Sequence, residues 1–201
     1  MSSLQITVRD TSGRGGLRPV TGGVPLAQGA APAGAEFALT TAGGQPVPLQ
    51  SRVLARWKDG SARWVLLDFM ADVPAAGSAA FALSPGRVGS PAPACTGVRL
   101  AAGPGGGILA VGDGLRVGLE LILDDGQVCT AVATSTGVEC EGPLRRTLTW
   151  RGDLRTAAGQ RAFQFRLRAS AFAGTGRVRL EPLVLVDADT GILQRDRKSV
   201  V

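Results

Sequence analysis

The sequence has no histidine and no tyrosine, two of the side chains most often used to move protons near neutral pH. Their absence excludes histidine-based nucleophilic triads and histidine-ligated metal centres. Cysteine is scarce and odd in number, with Cys95, Cys129 and Cys140 the only three. Their spacing fits no zinc motif, so neither a metal nor a cofactor is expected. Three separate thiols suit a reducing compartment and the role of small buried apolar groups. Aromatic residues make up 4% of the chain, which leaves few platforms on which bases or sugar rings stack. Lysine is nearly missing, represented by Lys58 and Lys198, so the net charge of +6 rests on arginine. No run approaches the roughly 18 uninterrupted apolar residues of a membrane helix. The opening MSSLQITVRD has neither the basic nor the apolar region of a secretory signal. The expectation is a cytoplasmic protein with no membrane partner.

What the chain does have is small residues, turn formers and apolar bulk. Among 201 residues stand 29 glycines and 12 prolines, with 44% hydrophobic residues. That length holds one large domain or two small ones, and the punctuation suits many short strands joined by turns. The arginines are scattered, as in Arg166 and Arg168 or Arg177 and Arg179. Two-residue spacing places them on the wet face of a strand. Without a basic cluster or a stacking platform, no nucleic-acid partner is expected. An acidic oligosaccharide or polysaccharide suits a mildly basic surface better.

Strand signals run the length of the chain. Leu4 to Val8 alternates apolar and polar, as a half-buried strand does. A Gly/Pro-rich stretch follows, GRGGLRPVTGGVPLAQGAAP. Glu36 to Leu39 and Pro46 to Gln50 flank a turn at Gly43 and Gly44. The clearest element is RVLARWKDGSARWVLLDFMADV, two β-rich runs meeting at Lys58 to Ser61. Asp-Gly between such runs signals a hairpin, because glycine takes the positive φ that the turn needs. Ser78 to Leu83 reads as a further strand, and Ser84 to Pro93 as a linker. Beyond it the pattern predicts strands over Gly97 to Leu100, Leu115 to Leu123, Leu144 to Trp150, Ala162 to Ser170 and Arg177 to Val186. Helical periodicity does not persist over three turns anywhere, which points to a barrel or sandwich.

Candidate chemistry is thin, and no catalytic residue is expected. Gly103 to Gly107 lacks the GK[ST] continuation of a phosphate loop and reads as a flexible turn. Glu36, Asp59, Asp68, Glu120, Asp124 and Asp125 are the carboxylates considered for an acid/base pair, and their spacing singles out no two of them. Asp59 and Asp125 precede glycines and read as turn residues. Asp68, between Leu67 and Phe69, is placed on the solvent face, with a buried polar anchor as the alternative. Trp57 and Trp64 flank the hairpin turn together with Arg56, Lys58 and Arg63. Trp57, Trp64, Arg56 and Lys58 are the candidate carbohydrate contacts, with indole faces for sugar rings and cations for hydroxyls or carboxylates. Cross-strand packing is the competing role for both indoles.

The motifs Gly23-Val-Pro-Leu26, Gly29, Val47-Pro48 and Trp57-Lys-Asp-Gly-Ser61 with Trp64 carry a resemblance. They resemble the N-terminal RIFT-barrel domain of the PcRGLX/YetA-like exo-rhamnogalacturonan lyases. The stretches VECEGPLRRTLTWRG and FRLRASAFAGTGRVRLEPLVLV resemble paired strands of that family's central β-sandwich. The resemblance implies an all-β chain, a small RIFT-type β-barrel over residues 1–88 followed by an incomplete β-sandwich over 94–195. It also implies β-elimination on rhamnogalacturonan by the whole protein, with the substrate machinery in C-terminal domains missing from this chain. The chain is therefore expected to be a non-catalytic N-terminal fragment of a polysaccharide lyase-like protein. The alternative is a stand-alone carbohydrate-binding or structural β module. Residues 196–201 match a translated sequencing adapter and are expected to be a non-native tail.

Overall fold

The computed structural model describes residues 3–86, 100–102, 109–111 and 115–186, and these residues form strands and turns with no helix among them. They fall into two compact units, one comprising Met1–Ala94 with Gly142–Arg145, the other Cys95–Glu141 with Arg146–Val201.

The first unit contains strands β1 (Leu4–Arg9), β2 (Gly16–Pro25), β3 (Phe37–Thr41), β4 (Pro46–Val47), β5 (Leu49–Arg56), β6 (Ala62–Val73) and β7 (Ser78–Pro85). They form a four-stranded sheet in the order β1-β7-β3-β4 and a three-stranded sheet in the order β2-β6-β5, with every pairing antiparallel. Period-two alternation on β6 turns Val65, Leu67, Phe69, Ala71 and Val73 inward. They meet Leu39, Phe81 and Leu83 of the other sheet in one core, and Phe69 sets its ring edge against Phe81 at 5.2 Å between centroids. Two sheets curling around one shared interior make a small barrel, as expected.

Strand β2 lies where the sequence reads as Gly/Pro-rich. It pairs with β6 over its whole length, from Gly16 opposite Val73 to Pro25 opposite Trp64. It sits at the edge of its sheet, where proline's missing N–H costs least. Asp68 requires a correction. The solvent-face placement does not hold, because Asp68 is only 4% exposed. Its side chain does point away from the apolar core, but the Gly142–Arg145 segment covers it.

The second unit contains β8 (Leu100–Ala102), β9 (Leu109–Val111), β10 (Leu115–Val117), β11 (Glu120–Ile122), β12 (Val128–Cys140), β13 (Arg145–Arg155) from Arg146 onward, β14 (Arg161–Phe172) and β15 (Val178–Leu185). The first three form one sheet in the order β10-β9-β8, and the rest a five-stranded sheet in chain order. Trp150, Leu154, Phe163, Phe165 and Leu167 pack on one face of the larger sheet with Cys129, which fills space as a small apolar group. The single strand expected over 115–123 is two, interrupted at Gly118 and Leu119. Register shifts in β12 between Ala133 and Ser135 and between Val138 and Cys140 mark bulges at Thr134 and Glu139. Cys95, most of the linker and of the strand over Gly97 to Leu100, the Gly103 to Gly107 turn and residues 196–201 lie outside the described residues.

Candidate functional site

The hairpin between β5 and β6 is closed by a loop over residues 57–61. Trp57 N–H donates to the Ser61 carbonyl at 2.9 Å and Gly60 N–H to the Trp57 carbonyl at 3.0 Å. Gly60 sits at φ +83°, a conformation that a side chain would strain. Asp59 Oδ1 accepts the Ser61 N–H at 2.9 Å and the Ser61 hydroxyl at 2.6 Å. The hydroxyl bond and then the backbone bond from Ser61 hold the Asp59 carboxyl below its ordinary range. Asp59 is thus a turn residue, and Asp125 is another, accepting the Gln127 N–H at 3.0 Å.

This loop clasps the segment that follows β2. Trp57 Nε1 donates to the Leu26 carbonyl at 3.0 Å, and Leu26 N–H donates to the Arg63 carbonyl at 2.9 Å. Gly29 N–H donates to the Ser61 hydroxyl at 3.0 Å, and Ala62 N–H to the Ala31 carbonyl at 2.9 Å. The two sequence motifs, one around Val24-Pro25-Leu26 and Gly29, the other around Trp57 to Ser61, are therefore halves of one hydrogen-bonded unit. Each supplies what the other's buried backbone lacks.

The four candidate carbohydrate contacts have different surroundings. Trp57 is half-buried, its N–H is taken by Leu26, and the Arg63 guanidinium carbon lies 4.7 Å from its ring centroid. Trp64 projects from the outer face of β6 and is 42% exposed. Its indole lies over Gly23, where a Cβ would come within 2.3 Å of Nε1, so only glycine allows this approach. Arg56 donates from its guanidinium to the Gly60 carbonyl at 3.0 Å. Lys58 is exposed and makes no ion pair among the described residues.

Sequence reasoning missed a polar rung on the outer face of the three-stranded sheet. Register places Thr21, Asp68 and Gln50 side by side on β2, β6 and β5. Thr21 donates its hydroxyl to Asp68 Oδ1 at 2.6 Å, and Arg145 Nε lies 2.7 Å from the same oxygen. Gln50 Oε1 accepts the backbone N–H groups of Leu144 and Arg145, each at 3.0 Å. A buried ion pair of this kind is sustained by the hydrogen bonds around it. The available signal was an aspartate inside an apolar strand run, although its partner lies 77 residues further on. Among the described residues no group of histidine, cysteine, aspartate and glutamate is arranged to hold a metal.

The first unit is thus a small antiparallel β-barrel closed by a loop-to-hairpin clasp. Residues 6–82 match the family model of the PcRGLX-like N-terminal RIFT barrel domain. This stretch is similar to that domain and folds as a barrel, and every residue of the Gly23–Leu26, Gly29, Val47–Pro48 and Trp57–Trp64 motifs falls inside the match. No curated protein matches the chain.

Proposed function

We propose that the chain is the non-catalytic N-terminal part of a polysaccharide lyase-like protein of the rhamnogalacturonan type, with the barrel serving as scaffold. The observation that carries this is the match of residues 6–82 to the PcRGLX-like barrel. The use of the motif residues supports it. Trp57, Asp59, Ser61 and Arg56 spend their hydrogen bonds on the hairpin loop and its clasp, and a carboxyl held below its ordinary range is a poor proton donor at neutral pH. The partners that accompany this role are the C-terminal domains of the same protein and an acidic oligosaccharide or polysaccharide. A reducing, cytoplasmic location goes with it.

The test is to incubate the full chain with rhamnogalacturonan oligosaccharides and follow the absorbance of the unsaturated uronate that β-elimination creates. No product is expected. Product formed by the purified chain, and lost on heating it, would overturn the scaffold role.

A second possibility, a stand-alone carbohydrate-binding module, is favoured by the exposure of the Trp64 indole. It requires that Trp64→Ala weaken glycan binding while the fold is kept. Trp57→Ala cannot make the same distinction, since it also removes the bond to Leu26.

A further inference from the structure

We propose that the outer face of the five-stranded sheet, from the β12 bulge to β15, binds a carboxylate ligand that carries an apolar flank. The site lies wholly in the second unit and does not depend on the scaffold role of the barrel.

Alternation on β14 sends Phe163, Phe165 and Leu167 into the core and so turns Gln164, Arg166 and Arg168 to the opposite face. On β15 the register sets Leu185 beside Gln164, Leu183 beside Arg166 and Glu181 beside Arg168. On the other side, β12 bulges at Thr134, where it passes so close to β13 that a Cβ on Gly152 would meet the Val132 carbonyl oxygen at 2.0 Å. Between these strands lies a depression of about 410 Å³ lined by Thr134, Arg151, Asp153, Gln164, Arg166 and the two leucines.

The charges on this face do not balance. Glu139 pairs with Arg166 and Arg168, Glu181 with Arg168 and Arg179, and Asp153 with Arg155. Every one of these carboxylates already takes a guanidinium. Arg151 is exposed and makes no ion pair among the described residues. Arg166 gives Glu139 a single contact at 3.3 Å. Two guanidiniums at one depression, one unpaired and one loosely engaged, suit a planar carboxylate that accepts paired N–H bonds. The Gln164 amide adds a further donor.

The apolar side of the depression narrows the ligand class. Leu183 is 53% and Leu185 42% exposed, an unusual amount of leucine surface beside arginines. A compact, fully hydrated dianion such as phosphate gains nothing from it. A carboxylate with an alkyl chain or the apolar face of a sugar ring covers it. The shared chemistry is the carboxylate with its flank, and the two sources are separable by experiment.

The full chain would be titrated calorimetrically with hexanoate, a digalacturonate, the neutral digalactoside and inorganic phosphate. Binding of hexanoate identifies an alkyl carboxylate as sufficient. Binding of digalacturonate alone identifies a sugar acid. Either supports the site, provided that the neutral disaccharide and phosphate bind at least about tenfold more weakly. Arg151→Gln should weaken the carboxylate about tenfold, the cost of losing a charge-assisted pair. Because Arg151 is exposed, this variant should melt with the parent chain. Arg179→Gln, on the same sheet but outside the depression, should leave affinity unchanged. The site is overturned if neither carboxylate binds, if phosphate or the neutral sugar binds as tightly, or if Arg151→Gln has no effect.

Discussion

The two units place arginine and carboxylate pairs on strands built by the same period-two alternation, yet they treat the charges in opposite ways. In the first unit, Asp68 and Arg145 are buried together, with Thr21 and Gln50 completing the hydrogen bonds around them. In the second, Glu139 on β12, Arg166 and Arg168 on β14 and Glu181 on β15 form a network over one face of the sheet that stays partly in water. Burial makes the first arrangement intolerant of a missing partner, whereas screening makes the second weak in any single pair. The barrel uses charge to hold a specific structure, and the larger sheet leaves charge available at its surface.

The sharpest way to break this contrast is at Asp68. Asp68→Ala takes the Asp68 carboxylate away from the buried Arg145 guanidinium and should cost about 3–5 kcal/mol. The double variant Asp68→Leu/Arg145→Met should recover a large part of that loss. Urea unfolding of the single and double variants measures both. Equal losses in the two would show that the pair's charges do not carry the effect.

A backbone constraint marks the second unit. Gly152→Ala forces a methyl group against the Val132 carbonyl and the Ala133 Cα, which would lie 2.0 and 2.8 Å away. Backbone cannot swing aside as a side chain does, so a loss of about 1–3 kcal/mol is expected. A drop in the melting temperature with unchanged far-ultraviolet circular dichroism would register it. A neutral outcome would mean that the β12 bulge shifts freely.

The smallest expected effect is on acid stability. Asp10 accepts the Ser12 hydroxyl and N–H and the N–H groups of Gly15 and Ala76, bonds that hold its carboxyl far below the ordinary range. The Ser61 bonds do the same, to a lesser degree, for Asp59. Burial pushes the Glu139 carboxyl up, but the Arg168 bond and charge and those of Arg166 outweigh it, so the net direction is again down. A carboxyl whose folded pKa is lowered contributes stability that is present above its unfolded value, about 3.9–4.3. That stability is lost as pH falls through the folded value. The protein should therefore weaken on acidification below about pH 4. Asp10→Asn should flatten that dependence, as measured by denaturant midpoints between neutral and acid pH. The Glu139 contribution should fade with added salt more than that of Asp10, because it depends on arginine charges while Asp10 depends on neutral donors.

Much of the fold could be read from the chain. Strand alternation, the Asp-Gly turn and the paired Gly-Val-Pro-Leu and Trp-Lys-Asp-Gly-Ser motifs pointed to an all-β chain with an N-terminal RIFT barrel. These signals are local or short in range. Strand β2 escaped because glycine and proline lower strand propensity, and only an edge position beside β6 makes them acceptable. The candidate contacts Trp57 and Trp64 were visible as residues, but not in their surroundings. Leu26 and Gly23, which occupy them, come from a segment that becomes adjacent only when β2 pairs with β6.

The amino-acid sequence by itself determined the all-β class of fold, the resemblance of its first part to a RIFT barrel, the position of the hairpin and the exclusion of any chemistry that needs a histidine or a tyrosine. Tertiary structure alone decided that Asp68 is buried with Arg145, that the two motifs clasp each other, and that Arg151, Arg166, Leu183 and Leu185 share one depression. The physical reason is range. Alternation and turn preference act between neighbours and survive in a one-dimensional chain, whereas burial, ion pairing and pocket formation depend on which distant strands pair and in what register.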